Sequence, residues 1–163
     1  SGLAAPTEGT ISLFGKDEKE SKALRGRVGT LIENPGIYAN MSAYENLKMK
    51  CLAMGVPAKG TIEEVLKIVG LEKTGKKRVK NFSLGMRQRL GLAQAIMENP
   101  DILILDEPMN GLDKDGVSDM RKYLLEFKEQ GKTILIASHS AEDIEILCDT
   151  VCEMDKGVLT KIK

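Results

Sequence analysis

Two adjacent carboxylates, Asp106 and Glu107, end the aliphatic run Ile102-Leu103-Ile104-Leu105, and Pro108 follows them directly. At such a place one carboxylate can hold a hydrated Mg²⁺ while a second orients and deprotonates a water. Four aliphatic residues without alternation read as a strand buried on both faces of a parallel sheet. Pro108 stops its ladder, and in open α/β sheets ligands collect at the carboxyl ends of strands. Successive strand residues point opposite ways, so Asp106 and Glu107 are free to take different tasks. Taken alone, the pair is equally well explained as a solvated acidic turn.

Two further stretches bear on that choice. Phe82-Ser83-Leu84-Gly85-Met86-Arg87-Gln88-Arg89-Leu90 reads as a capped helix start one helix before the acidic strand. Gly85 permits close backbone approach, Ser83 is a good N-cap, and the open amides with the positive dipole end attract anions. The bland alternative is an ordinary capped helix with a basic exposed face. Ser138-His139-Ser140 stands at the end of a second aliphatic run, Thr133 to Ala137. By itself His139 is as readily a polar strand-end residue as a catalytic one.

The elements needed to position these groups can be read in chain order. Thr10 to Phe14 alternates as a short strand between Gly9 and Gly15, and Val28 to Ile32 is a second strand broken at Glu33-Asn34-Pro35-Gly36. Ser42-Ala43-Tyr44-Glu45 and Thr61-Ile62-Glu63-Glu64 are two capping boxes, opening helices that stop at Gly55 and Gly70. Ser83 caps a third helix reaching about Asn99, with Leu90, Ala93 and Met97 inward. Val117, Met120, Leu124 and Phe127 mark one face of a helix ending at Gly131. Thr133–Ala137 is another buried strand, Ser140 starts a short helix through Leu147, and a hairpin turns at Asp155-Lys156-Gly157. Residues 39–98 thus form a helical insertion in an α/β chain whose core comprises residues 1–38 and 99–163.

The 163 residues suit one domain. With 24 basic and 24 acidic residues, nothing points to nucleic acid or an anionic surface. The absence of Trp, with only three Tyr and three Phe, also weakens base stacking. Cys51, Cys148 and Cys152 are an odd set best read as reduced thiols, and a zinc cluster is not expected with His139 the only histidine. No apolar run approaches the ~20 residues of a membrane span.

In combination and in this order, Phe82 to Gln88, Ile102 to Glu107, Asn110-Gly111-Leu112-Asp113 and His139 resemble the signature motif, Walker B strand, D-loop and switch histidine of the ATPase domain of ABC transporters. Glu33 lies at the Q-loop position, and the resemblance covers the whole chain. It implies an α/β P-loop NTPase (RecA-like) core with a helical subdomain, and ATP and Mg²⁺ as ligands. Asp106 would hold Mg²⁺ through water, with Glu33 a second candidate ligand; Glu107 would be the general base, and His139 would contact the γ-phosphate. Ser83, Leu84, Gly85 and Met86 would face ATP held by a second ATPase subunit, and Asn110 to Asp113 would tie the two sites together across a homodimer. The helical insertion would dock on transmembrane permease subunits, placing the protein on the cytoplasmic face of the membrane, with no nucleic-acid partner.

Three departures refine the resemblance. Leu84 stands where the signature has its first Gly, Met86 where it has Gln, and Glu33 where the Q-loop has Gln. These substitutions look like exporters of bacitracin-type and lantibiotic peptides. No Gly-x-x-x-x-Gly-Lys-[Ser/Thr] occurs in the sequence, so the loop that cradles the phosphates is expected upstream, and the chain is expected to be an inactive N-terminally truncated piece. The alternatives are a soluble ABC-type ATPase without a membrane partner and a non-enzymatic remnant of the fold.

Overall fold

The computed structural model describes residues 6–17, 26–32 and 36–163. Glu33, Asn34 and Pro35 of the Glu33-Asn34-Pro35-Gly36 break lie outside the described residues. In chain order the elements are β1 (Ser12–Leu13), β2 (Lys16–Asp17), β3 (Val28–Leu31), α1 (Ala43–Met54), α2 (Thr61–Ile68), α3 (Leu84–Ile96), β4 (Ile102–Asp106), α4 (Lys114–Glu129), β5 (Thr133–Ala137), α5 (Ala141–Leu147), β6 (Cys152–Asp155) and β7 (Val158–Lys161).

The site rests on a parallel sheet of order β3-β4-β5. Its register aligns Gly29, Leu103 and Ile134 in one row and Leu31, Leu105 and Ile136 in the next row on the same face. Leu31, Leu103 and Leu105 are fully buried there, each contributing about 1.5–3 kcal/mol relative to an exposed side chain. α3 presses so closely on this face that a Cβ at Gly29 would collide with the Ala95 carbonyl oxygen. α4 buries Met120, Leu124 and Phe127 in the same core.

The other face corrects the expectation of strands buried on both sides. The intervening row, Thr30, Ile104 and Leu135, leaves Ile104 36% and Leu135 60% exposed. An aliphatic run records that its strand is suited to burial; which element supplies the cover is a long-range matter, and the described helices pack on the opposite side.

The helical layer follows its capping chemistry. Ser42 Oγ accepts from the Glu45 amide at 3.2 Å, and Glu45 Oε2 accepts from the Ser42 amide at 2.7 Å, so α1 opens on the expected capping box. It closes at Gly55, whose left-handed backbone (φ 68°) returns its amide to the Cys51 carbonyl. Buried Asn46 exchanges hydrogen bonds with the Tyr38 backbone and also donates to the Ser42 carbonyl, fixing the approach to α1. At α2 the expected box is displaced by one residue. Gly60 is the N-cap and its amide donates to Glu63 Oε2 at 2.8 Å, because Thr61 has already turned helical.

One other boundary and one burial pattern differ. The strand expected over Thr10–Phe14 is the two-residue β1, paired with β2 around Phe14 and Gly15 at positive φ. Thr133–Ala137 forms a strand as expected but alternates between exposed and half-buried residues. The β6–β7 hairpin turns at Lys156 and Gly157, both at positive φ, as the Asp155-Lys156-Gly157 turn predicts.

Candidate functional site

The carboxyl ends of β4 and β5 lie side by side, Asp106 opposite Ala137 in the last pair of the ladder. Beyond that pair the Glu107 amide still donates to the Ala137 carbonyl at 2.9 Å. Glu107 is nevertheless outside the strand conformation, with φ at 46°, a left-handed backbone rarely adopted by residues other than Gly, Asn or Asp. Such a residue persists where the surroundings fix it, and here they aim its side chain at the neighbouring strand end. His139 Nδ1–H donates to Glu107 Oε1 at 2.8 Å. The hydrogen bond that Glu107 accepts, and then its negative charge, raise the His139 pKa above its ordinary value.

Asp106 remains exposed at the end of β4, unlike Glu107, whose side chain is 26% exposed. The two adjacent carboxylates therefore occupy different surroundings, but the cause is the left-handed turn at Glu107 just past the strand, rather than the strand alternation expected to separate them. No cluster of three or more metal-ligating side chains exists among the described residues. A single exposed carboxylate fits Mg²⁺ that retains most of its water and is completed by phosphates; it does not fit a protein cage.

α3 begins at the second predicted stretch. Ser83 is its N-cap, with its Oγ accepting from the Met86 amide at 3.2 Å. Leu84 and Gly85 occupy the first helical positions, whose amides have no intrahelical acceptor. Leu84 is 47% exposed. The loop Asn110–Asp113 comes back to this helix start: a Cβ at Gly111 would collide with Leu84 Cδ2, and one at Gly85 would lie 3.5 Å from Leu112 Cδ2. Asp113 then caps α4, its Oδ1 accepting from the Gly116 amide at 2.9 Å.

The structure thus joins Glu107 to His139 and Ser83–Met86 to Asn110–Asp113, whereas Glu33 is not among the described residues. It also shows partners that no local pattern signals. Arg121 of α4 donates through Nε to the buried Asp143 at 2.7 Å and pairs with Glu142 at 3.0 Å. Hydrogen bonds to Glu142 and Asp143 raise the guanidinium pKa further above its already high value. This clamp fixes the start of α5, immediately after His139. No helix of the described residues is long and apolar enough to cross a membrane.

Comparison with known proteins identifies the family and the fold. A profile described as ABC transporter matches residues 1–110. The chain is 45% identical over 161 residues to "Bacitracin transport ATP-binding protein BcrA" of Enterococcus faecalis, covering 98% of this chain and 52% of that protein. It is 43% identical over 150 residues to "Lantibiotic transport ATP-binding protein SrtF" of Streptococcus pyogenes, covering 92% of this chain and 64% of that one. Among solved structures, cbiO1 from Clostridium perfringens, described as part of the ABC transporter complex cbiONQ, superposes with a TM-score of 0.82 at 30% identity, covering 98% of this chain and 68% of that chain. The chain spans about half the length of the bacitracin relatives it matches. Its fold is the α/β core of a P-loop NTPase with a helical layer, and the chain belongs to the ABC transporter ATP-binding family.

Proposed function

We propose that the full-length protein hydrolyses MgATP as a dimer and that the hydrolysis powers export of a peptide antibiotic or another small substrate through permease subunits. The observation that carries the chemical part is the 2.8 Å contact between His139 Nδ1 and Glu107 Oε1 beside the exposed Asp106. The names of the bacitracin and lantibiotic relatives support the choice of cargo.

In this reading Glu107 is the general base, accepting a proton from the water that attacks the γ-phosphate. His139 donates from Nδ1 to that carboxylate and directs Nε2 away from it, where it reaches a phosphate oxygen. Asp106 holds the hydrated Mg²⁺, which neutralises phosphate charge when bound. The amide end of α3, with Ser83, Leu84, Gly85 and Met86, faces the nucleotide of the second subunit, and Asn110 to Asp113 link the two sites. Residues 39–98 form the unit that meets the permease on the cytoplasmic face, and residues 1–38 with 99–163 the nucleotide-binding core. Glu33 is proposed at the Q-loop position and as a second candidate ligand for the metal.

The sequence has no phosphate-cradling Gly-x-x-x-x-Gly-Lys-[Ser/Thr]. The 163-residue chain is therefore proposed to turn over no ATP. Phosphate release from MgATP by the full-length protein, alongside calorimetric titration of the 163-residue chain with MgATP, tests both statements. Expected are turnover by the former and no micromolar binding by the latter; a full-length protein without turnover would overturn the enzymatic reading.

A further inference from the structure

We infer that Leu84 and Gly111 form a knob and a notch that fix the loop bearing Glu107 against the start of α3, which makes Leu84 a positioning residue for the site. This rests on the ATPase reading above and adds to it a specific contact within one chain.

Gly111 has a left-handed backbone, φ 69°, and Leu84 Cδ2 occupies the space in which a Cβ at that position would have to lie. Most other residue types are therefore disfavoured in the notch, by conformation and because their side chain would have to displace the end of Leu84. On either side the fit continues. Leu112 Cδ2 lies 3.5 Å from the Cβ position of Gly85, and Leu112 Cβ lies 3.3 Å from that of Gly116. Three glycines thus leave room for two leucines where α3, the loop and α4 meet.

Little slack separates this junction from the carboxylate. The Asn110 amide donates to the Glu107 carbonyl at 3.0 Å, and the Leu112 amide to the Met109 carbonyl at 3.2 Å. Met109 packs on the core, and Asp113 anchors the far end by capping α4. A shift of α3 relative to Gly111 is passed through these short turns to Glu107, whose own left-handed backbone offers few alternative positions. Leu84 also explains itself in this way: a half-exposed leucine at the first position of a helix gains contact from the notch that a glycine there could not provide.

A double-substitution cycle in the full-length protein tests the inference. Gly111→Asn keeps a residue type that tolerates the left-handed region and places a side chain against Leu84; Leu84→Ala removes the obstructing atoms. Expected is a fall in kcat of about ten-fold for Gly111→Asn with KM changed little, and recovery when Leu84→Ala is added, the departure from independent effects reaching about five-fold or more. Independent effects of the two substitutions, or a change confined to KM, would overturn the positioning role. If the unaltered protein turns over no MgATP, the ATPase reading itself has failed. The same cycle followed by thermal melting then decides the contact: non-additive melting shifts support the knob and notch, and additive ones refute them.

Discussion

His139 donates to Glu107 from an open position, its side chain 83% exposed. The contact draws its strength from alignment and charge; burial adds little. Because hydrogen bonding to Glu107 raises the His139 pKa above its ordinary value, the ring holds its proton more readily in the folded protein than in the unfolded chain. The contribution of the pair to stability is fully present below the ordinary value and is lost as pH rises through the raised one. As the only histidine in the sequence, His139 gives a single imidazole signal in a magnetic-resonance titration. Its midpoint is expected above 6.5, and Glu107→Gln is expected to move it back down; a midpoint unaffected by that substitution would show that the contact is not formed in solution. The identities of these residues were legible from their places at the ends of two aliphatic runs. The left-handed backbone of Glu107 was not, because its partners Ala137 and His139 lie some thirty residues further along the chain, and glutamate has no intrinsic preference for that conformation.

At the scale of elements, the helix starts carry both the architecture and the proposed nucleotide contact. Ser83→Arg removes the oxygen that accepts from Met86, at a cost of about 1 kcal/mol to α3, and sets a long side chain where the partner's phosphate would lie. In the full-length protein the expected result is loss of turnover with nucleotide binding by the isolated subunit retained, measured by calorimetry under conditions where it is monomeric. Loss of that binding would contradict a site shared between subunits. The capping pattern was a reliable guide wherever its residues were unambiguous, as at Ser42, Ser83 and Gly55. It slipped by one position at α2, where consecutive glutamates at 63 and 64 allow two alignments and the backbone of Gly60, φ 88°, decides between them. Contacts such as Arg121 with Asp143, or Leu84 with Gly111, join residues more than twenty positions apart, and no local period encodes them.

At the scale of the molecule, the sheet has one dressed face and one open face. Ile32, Ile104 and Leu135 are 60%, 36% and 60% exposed, and the β6–β7 hairpin exposes Met154, Val158 and Leu159 as well. Exposed apolar area is worth about 25 cal/mol per Å² when covered, and unpaired strand edges template further pairing. The 163-residue chain is therefore expected to associate as its concentration rises, and Leu135→Lys to shift it towards monomer, both followed by sedimentation velocity. A monomer at all concentrations would show that this face tolerates water. The aliphatic composition of the strands announced a buried sheet, but coverage of each face belongs to the assembled molecule.

The central proposal is that Glu107 is the base, with His139 donating to it at 2.8 Å. The most direct measurement is steady-state phosphate release by the full-length protein carrying Glu107→Gln, with ATP affinity determined on the same sample. The amide keeps the shape of the carboxylate but cannot take the proton from water, so ATP binding should persist while turnover falls by about 10²–10⁴-fold. Turnover close to that of the unaltered protein would show that the proton goes elsewhere and that Glu107 is not the base.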